Sequence, residues 1–249
     1  MYLTAKGLVL RVTNYNDTDS LLTILTHSHG LLTVKARNIR RKNSPLTAPC
    51  QLLAYSEFTL FSYKEFYTIN EARTIELFRS SRNDIQKLAL GSYFAQLSEV
   101  LSQEDMPNPE LLSLTLNSLY ALSELKLDEV HVKATFELRC ACLAGYAPDL
   151  SGCICCGELL VNRFDVSAGH LECAHCRAED SGGIRIPVTP GVIDAMRYIC
   201  SSDPKQIFSY HLGEDTRSNL SQVTELYLVT QLERGFPTLD FYKSLLVMC

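Results

Sequence analysis

The stretch KGLVLRVTNYNDTDSLLTILTHSHGLLTVKARNIRRKNS, Lys6 to Ser44, decides how the first third of the chain folds. "KGLVLRV" and "SLLTILT" are rich in β-branched and aliphatic residues, and Leu8, Leu10 and Val12 recur at period two, the mark of a strand. "HSHG" is a turn whose Gly30 can take positive φ, and "LLTVKAR" resumes the extended pattern. "NIRRKNSPLTAPC" is polar with two prolines and reads as a loop. Further on, "QLLAYSEFTLFSY" and "FYTINEARTIELF" return to extended character, with Leu53, Tyr55, Thr59, Phe61 and Tyr63 on one face. Five short strands without a helical period predict a small closed barrel. Its length fits the OB-fold, whose strands and loops bind oligonucleotides, with an SH3-like barrel as the alternative.

The loop after the third strand carries Lys35, Arg37, Arg40, Arg41 and Lys42, five cations in eight residues without an acid. Beside a barrel face, such a loop tracks phosphates and gives salt-dependent, sequence-tolerant binding. The competing reading is a solvated charged loop. Tyr15, Phe58, Phe61, Tyr63, Phe66 and Tyr67 are candidates for base stacking, although aromatic residues in strands also build cores. Overall charge is −5, but residues 1–80 hold ten cations against six carboxylates, a net +4, which leaves −9 for the remainder. A basic module joined to an acidic one points to a polyanion partner for the first.

After residue 80 the period changes. Leu90, Phe94, Leu97 and Leu101 fall on one helical face, and Asn108-Pro109-Glu110 caps a second helix with Leu112, Leu116 and Leu119 inward. Val132, Phe136, Cys140 and Leu143 mark a third, ending near Gly145 and Pro148. Thr189-Pro190 opens another, Ser218 to Glu233 is a further helix stopped by Gly235 and Pro237, and a short one runs through "LDFYKSLLVM". The expected class is α+β and multidomain. An OB barrel occupies 1–80, a helical domain occupies 81–150 and 177–249, and a cysteine-rich insert occupies 151–176, with a hinge near 79–83.

The insert, "SGCICCGELLVNRFDVSAGHLECAHC", has the spacing Cys-x2-Cys-x16-Cys-x2-Cys over Cys153, Cys156, Cys173 and Cys176. Two such knuckles present four soft thiolates at tetrahedral geometry, ~2.3 Å from a zinc ion. The spacer can form a hairpin turning at Ser167–His170. A thioredoxin-like redox pair needs only one Cys-x-x-Cys, at a helix start. A catalytic zinc site needs an open position and a general base. Cys155 and His175 are rival ligands, and Glu172 and Glu158 are nearby carboxylates read as solvated. Cys50, Cys140, Cys142 and Cys200 read as small core residues. No glycine-rich phosphate loop, G-x-S-x-G or HExxH is present, so an enzyme is not expected. No apolar run reaches the ~18 residues of a membrane span and no signal peptide is visible, so the expected compartment is the reducing cytoplasm.

The run "LVLR", "LLTILTHSHG" and "KARNIRR", followed by Cys153-Ile-Cys-Cys156-Gly157, Phe164, Gly169 and Cys173-Ala-His-Cys176, closely resembles the bacterial RecO family of recombination mediators. The motifs cover about the first 80 residues and 150–190; where this chain reads "KARNIRRK", relatives often carry a glycine. The resemblance implies an N-terminal OB domain, a helical domain and a structural Zn2+ site, in a protein that is not an enzyme. It implies a nucleoid-associated protein that binds single- and double-stranded DNA and anneals complementary strands. With RecR, and often RecF, it would help load RecA onto gaps coated by single-stranded-DNA-binding protein. It assigns DNA binding to Lys35, Arg37, Arg40, Arg41 and Lys42, and metal binding to Cys153, Cys156, Cys173 and Cys176. In relatives the helical domain docks the acidic C-terminal tail of single-stranded-DNA-binding protein, for which Lys133, Arg139, Arg197 and Lys243 are the cations offered. A zinc-dependent hydrolase or transferase built on the cysteines is the alternative function.

Overall fold

The computed structural model describes residues 2–64, 66–125, 127–176 and 183–247. The chain forms two compact units, Met1–Lys126 with Phe236–Cys249, and Leu127–Gly235. The expected helical domain is therefore divided between them.

In the first unit the strands are β1 (Tyr2–Asn14), β2 (Ser20–Thr26), β3 (Gly30–Ala36), β4 (Tyr55–Tyr63) and β5 (Phe66–Glu76). They close a barrel in the order β1-β2-β3-β5-β4, the parallel β3–β5 pair completing the ring. This is an OB-fold barrel, and the SH3-like alternative falls away. The long β1 serves two neighbours: Tyr2–Leu8 pair with β4, and Gly7–Asn14 with β2. A bulge between Val9 and Arg11 bends it, and Val9 exchanges backbone hydrogen bonds with Leu53 and Ala54 at 2.9 and 3.0 Å.

Alternation fills the barrel with Val9, Leu22, Ile24, Leu32, Val34, Phe58, Leu60 and Ile69. Leu8 and Leu10 are also buried, on the opposite face of β1, while Val12 is exposed. The face shared by Tyr55, Thr59, Phe61 and Tyr63 is the outer one. Residues 37–54 are a chain of tight turns, in which Arg41 N–H donates to Asn38, Ser44 to Arg41 and Thr47 to Ser44, each at 3.2 Å. This segment lowers Ile39, Leu46 and Cys50 into the barrel core.

Helices α1 (Arg79–Arg82), α2 (Ile85–Val100), α3 (Pro109–Ser123) and α7 (Pro237–Val247) belong to the same unit. Asp84 caps α2, accepting from Gln86 and Lys87 N–H, and Asn108 caps α3 ahead of Pro109. The junction expected to be a hinge is clamped: the Arg82 guanidinium donates to Leu77 O (2.6 Å), Leu52 O (2.5 Å) and Gln51 Oε1 (3.1 Å). Pro237, expected as a stop, is the first residue of α7. α7 packs on α2, where Thr238 Oγ1 donates to Gln96 Oε1 at 2.5 Å.

The second unit holds α4 (Glu129–Leu143), α5 (Pro190–Ser201) and α6 (Glu214–Gln231). It also contains a small sheet of β6 (Asp149–Cys153), β8 (His170–Glu172), β7 (Arg163–Asp165) and β9 (Arg185–Pro187), in that spatial order. β7 and β8 form the expected hairpin, with Gly169 at φ 72° in the turn. α4 and α6 trap a charge cluster in which Lys133 Nζ meets Glu137 Oε1 at 2.9 Å and Glu225 Oε2 at 2.8 Å. No helix among the described residues is long and apolar enough to cross a membrane.

Candidate nucleic-acid interface and metal centre

Asp19 organises the basic loop. Its Oδ1 accepts from Asn38 N–H at 2.9 Å, and its Oδ2 pairs with Lys35 Nζ at 3.1 Å and accepts from Asn16 Nδ2 at 3.1 Å. The Asn38 N–H and the Lys35 ammonium hold this carboxyl well below the usual carboxylate range. Asn16 Oδ1 in turn accepts from Thr18 and Asp19 N–H at 2.9 and 2.7 Å, so the β1–β2 loop is locked against the start of the basic loop. Arg40 adds two bonds, N–H to Thr18 O at 3.1 Å and Nη1 to Asn16 O at 2.9 Å. Asn38 and Asn43 sit at φ 55° and 65°, the left-handed conformation that asparagine tolerates best after glycine.

Of the five expected DNA-binding residues, Arg37, Arg40, Arg41 and Lys42 are exposed together on this loop. Lys35 is half-buried, ion-paired with Asp19 and placed 4.5 Å from the centroid of the Tyr15 ring. Arg37 also borders a groove of about 410 Å³, floored by Leu46 and Ile69 and edged by Asn38, Ser44 and Glu71. The loop is a preorganised cationic ridge, and the β1–β2 loop it braces is one that OB-folds use for oligonucleotides. Among the aromatic candidates, Phe58 is buried in the core and Tyr67 leans on it. Tyr15, Phe61, Tyr63 and Phe66 are exposed, joined by Tyr2, which the pattern of the sequence did not single out. The signal for Tyr2 is the parity of β1: it pairs with Phe61, on the outer face.

In the second unit Cys153, Cys156, Cys173 and Cys176 bring their sulfurs within 4.8 Å of one another. Cys156 and Cys173 Sγ are 3.8 Å apart. A tetrahedron with ~2.3 Å metal–sulfur bonds has sulfur–sulfur edges of about 3.8 Å, so the thiols are spaced for a four-coordinate soft cation. Burial pushes the Cys153 thiol up, but backbone hydrogen bonds at Cys173, Cys156 and Cys155 outweigh it and bring it down to about 6. Hydrogen bonds with Cys156 and Cys173 push the Cys176 thiol up. Four thiols this close do not ionise together unaided; a bound cation is what permits it. Cys155 and His175 are exposed and stand outside the cluster.

Of the two neighbouring carboxylates, Glu158 is exposed, as expected, but Glu172 is not solvated. Glu172 is buried, pairing with Arg185 Nε at 2.9 Å, and Arg185 also reaches Asp165 at 3.5 Å. Asp165, His170 and Glu172 thus form a second group of metal-ligand types, already neutralised by a guanidinium. Glu158 Oε1 accepts from Leu159 and Leu160 N–H and shapes the turn after the first knuckle. Cys140 is a core residue, but Cys142 and Cys200 are half-buried, their sulfurs 3.5 Å apart. Three of the cations offered for an acidic tail are spent internally. Lys133 lies in the buried cluster, Arg139 donates to Ile199 and Cys200 O, and Arg197 donates to Leu150 O.

The family profile described as "Recombination protein O N terminal" matches residues 1–78, and "Recombination protein O C terminal" matches residues 82–240. The chain belongs to the RecO family. Among its relatives, DNA repair protein RecO of Acetivibrio thermocellus is 34% identical over 247 residues, covering 98% of this chain and 97% of that protein. The RecO of Alkaliphilus metalliredigens is 29% identical over 248 residues, 98% of this chain and all of that protein. RecO membership joins the barrel, the helical part and the four-cysteine cluster in one DNA-repair family, as the motifs in the sequence implied.

Proposed function

We propose that this chain is a non-catalytic DNA repair and recombination mediator that binds single- and double-stranded DNA and anneals complementary strands. The observation that carries this reading is the ridge of Arg37, Arg40, Arg41 and Lys42, held rigid by Asp19 on the barrel of a RecO-family protein. Annealing follows from the physics: cations that neutralise phosphates of two strands lower their repulsion while the bases stay free to pair. On this reading the protein works in the cytoplasm at the nucleoid. With RecR, and with RecF where it takes part, it loads RecA onto strands covered by single-stranded-DNA-binding protein.

The metal we assign to Cys153, Cys156, Cys173 and Cys176 is Zn2+ in a structural role. Four cysteines fill a tetrahedron and leave no position for a substrate or an activated water, which tells against a hydrolase or transferase. X-ray absorption on the purified protein should report four sulfur neighbours; three sulfurs with an oxygen would overturn the structural role.

The test of DNA binding replaces Arg37, Arg41 and Lys42 by alanine, sparing Arg40 because it also braces the β1–β2 loop. Binding to single strands and to duplex should both weaken, and the salt slope should flatten by about 0.7–0.9 for each lost phosphate contact. Strand annealing should slow in parallel. Unchanged affinity would remove the loop from the interface.

A further inference from the structure

The barrel registers bring three of the stacking candidates of the sequence, Phe61, Tyr63 and Phe66, onto one surface with Tyr2. On the outer face, Lys35 of β3 pairs with Thr68 of β5, Thr68 with Phe61 of β4, and Phe61 with Tyr2 of β1. Directly opposed residues share a face, so Lys35, Thr68, Phe61 and Tyr2 form one row across four strands. Tyr63 pairs with Phe66 and extends the aromatic surface along β4 and β5. The four rings are 62% (Tyr2), 41% (Phe61), 62% (Tyr63) and 78% (Phe66) exposed. Tyr2 and Phe61 lie with centroids 5.4 Å apart, tilted rather than stacked, so ring faces are left open.

We propose that this face is a stacking platform for the bases of a single strand, with Phe66, Tyr63, Phe61 and Tyr2 as its rings. The proposal rests on the DNA-binding reading above and adds to it a second, chemically different part of the interface. Charge selects the occupant. The first row begins at Lys35, itself paired with Asp19 but followed in the chain by the exposed cations of the basic loop, and Lys64 Nζ stands 5.6 Å from the Tyr63 centroid. Neither the row nor the Tyr63–Phe66 pair contains a carboxylate; in the sequence Glu65 follows Lys64, and along the paired, described residues of β4 and β5 the next acid is Glu71, opposite Thr59. Aromatic faces flanked by cations suit a polyanion whose bases are free to stack. In a duplex the bases are stacked on each other, so the platform acts on single strands only, whereas the cationic loop serves both forms.

That difference makes the two readings separable. The chain contains no tryptophan, so Phe66→Trp introduces a unique reporter at the most exposed of the four rings. On binding an oligo-dT its emission should be quenched. The double variant Phe61→Ala/Phe66→Ala should lose about tenfold or more in single-strand affinity. Its duplex affinity and the salt slope of duplex binding should stay unchanged, and thermal melting should verify that it is folded. If single-strand affinity is unchanged and the indole emission of the Phe66→Trp variant does not move, while the loop variant still weakens binding, the platform proposal is wrong. The rings then serve another partner, such as a protein. If the unmodified chain binds neither form of DNA, the mediator reading itself fails and the platform falls with it.

Discussion

Asp19 shows how one carboxylate orders two loops. Its partners are the Asn38 N–H, the Lys35 ammonium, Asn16 and Thr18, so it joins the β1–β2 loop to the cationic loop. Because the folded carboxyl titrates below its unfolded value, the unfolded chain takes up the proton first as pH falls. The stabilisation is therefore full above the unfolded carboxylate range and is lost as pH drops through it. Asp19→Asn should lower the melting temperature at pH 7, and the gap to the unmodified protein should narrow steadily below about pH 4. A gap that does not depend on pH would show that the carboxylate's charge is not what matters. Lys133 is a contrasting case. Its ammonium is the buried counter-charge of Glu137, and Lys133→Met should destabilise the second unit by about 3–5 kcal/mol, read by denaturant unfolding. The sequence offered Lys133 as a cation for an acidic tail; the structure buries it against Glu137, one turn on in α4, and against Glu225, which α6 delivers from far downstream in the chain.

Elements whose information is local were legible in the sequence. The three strands of Lys6 to Ala36, the capped starts of α3 and α5, and the hairpin between the knuckles all follow from period, caps and turn residues. What period two does not reveal is which face is inside. Phe61 and Tyr63 alternate with Phe58 and Leu60, so the pattern on β4 is apolar on both faces, and only closure of the barrel makes one set core. Pro237 was misplaced as a stop because proline ends one helix and begins the next equally well; its role at the start of α7 is settled by packing on α2. The knuckles were legible because spacing alone brings two thiols to one turn. Of Cys155 and Cys156, it is Cys156 whose sulfur lies in the cluster, 3.8 Å from that of Cys173. This predicts an asymmetry within one knuckle. Cys173→Ser should abolish stoichiometric metal and lower the melting temperature sharply, since metal binding free energy is folding free energy for such a ribbon. Cys155→Ser should retain both, and loss of metal in that variant would mean the ligand set is different.

At the scale of the molecule, the charge argument changes once the helices are placed. Residues 1–80 carry +4, but the compact unit that contains them also holds the acidic residues of α2, α3 and their connections. With Met1–Lys126 and Phe236–Cys249 taken together there are fourteen Lys and Arg against thirteen Asp and Glu, a net of +1. Leu127–Gly235 then carries −6, completing the −5 of the chain. Bulk attraction to a polyanion is therefore weak, and the proposed phosphate binding depends on local clusters of cations such as the ridge. Four exposed cations set an upper bound of about four phosphate contacts from the loop, so the slope of log K against log salt for duplex DNA should lie near −2 to −4. A slope near −8 or steeper would mean that a second basic surface takes part. A slope near zero would mean that the ridge does not touch phosphate.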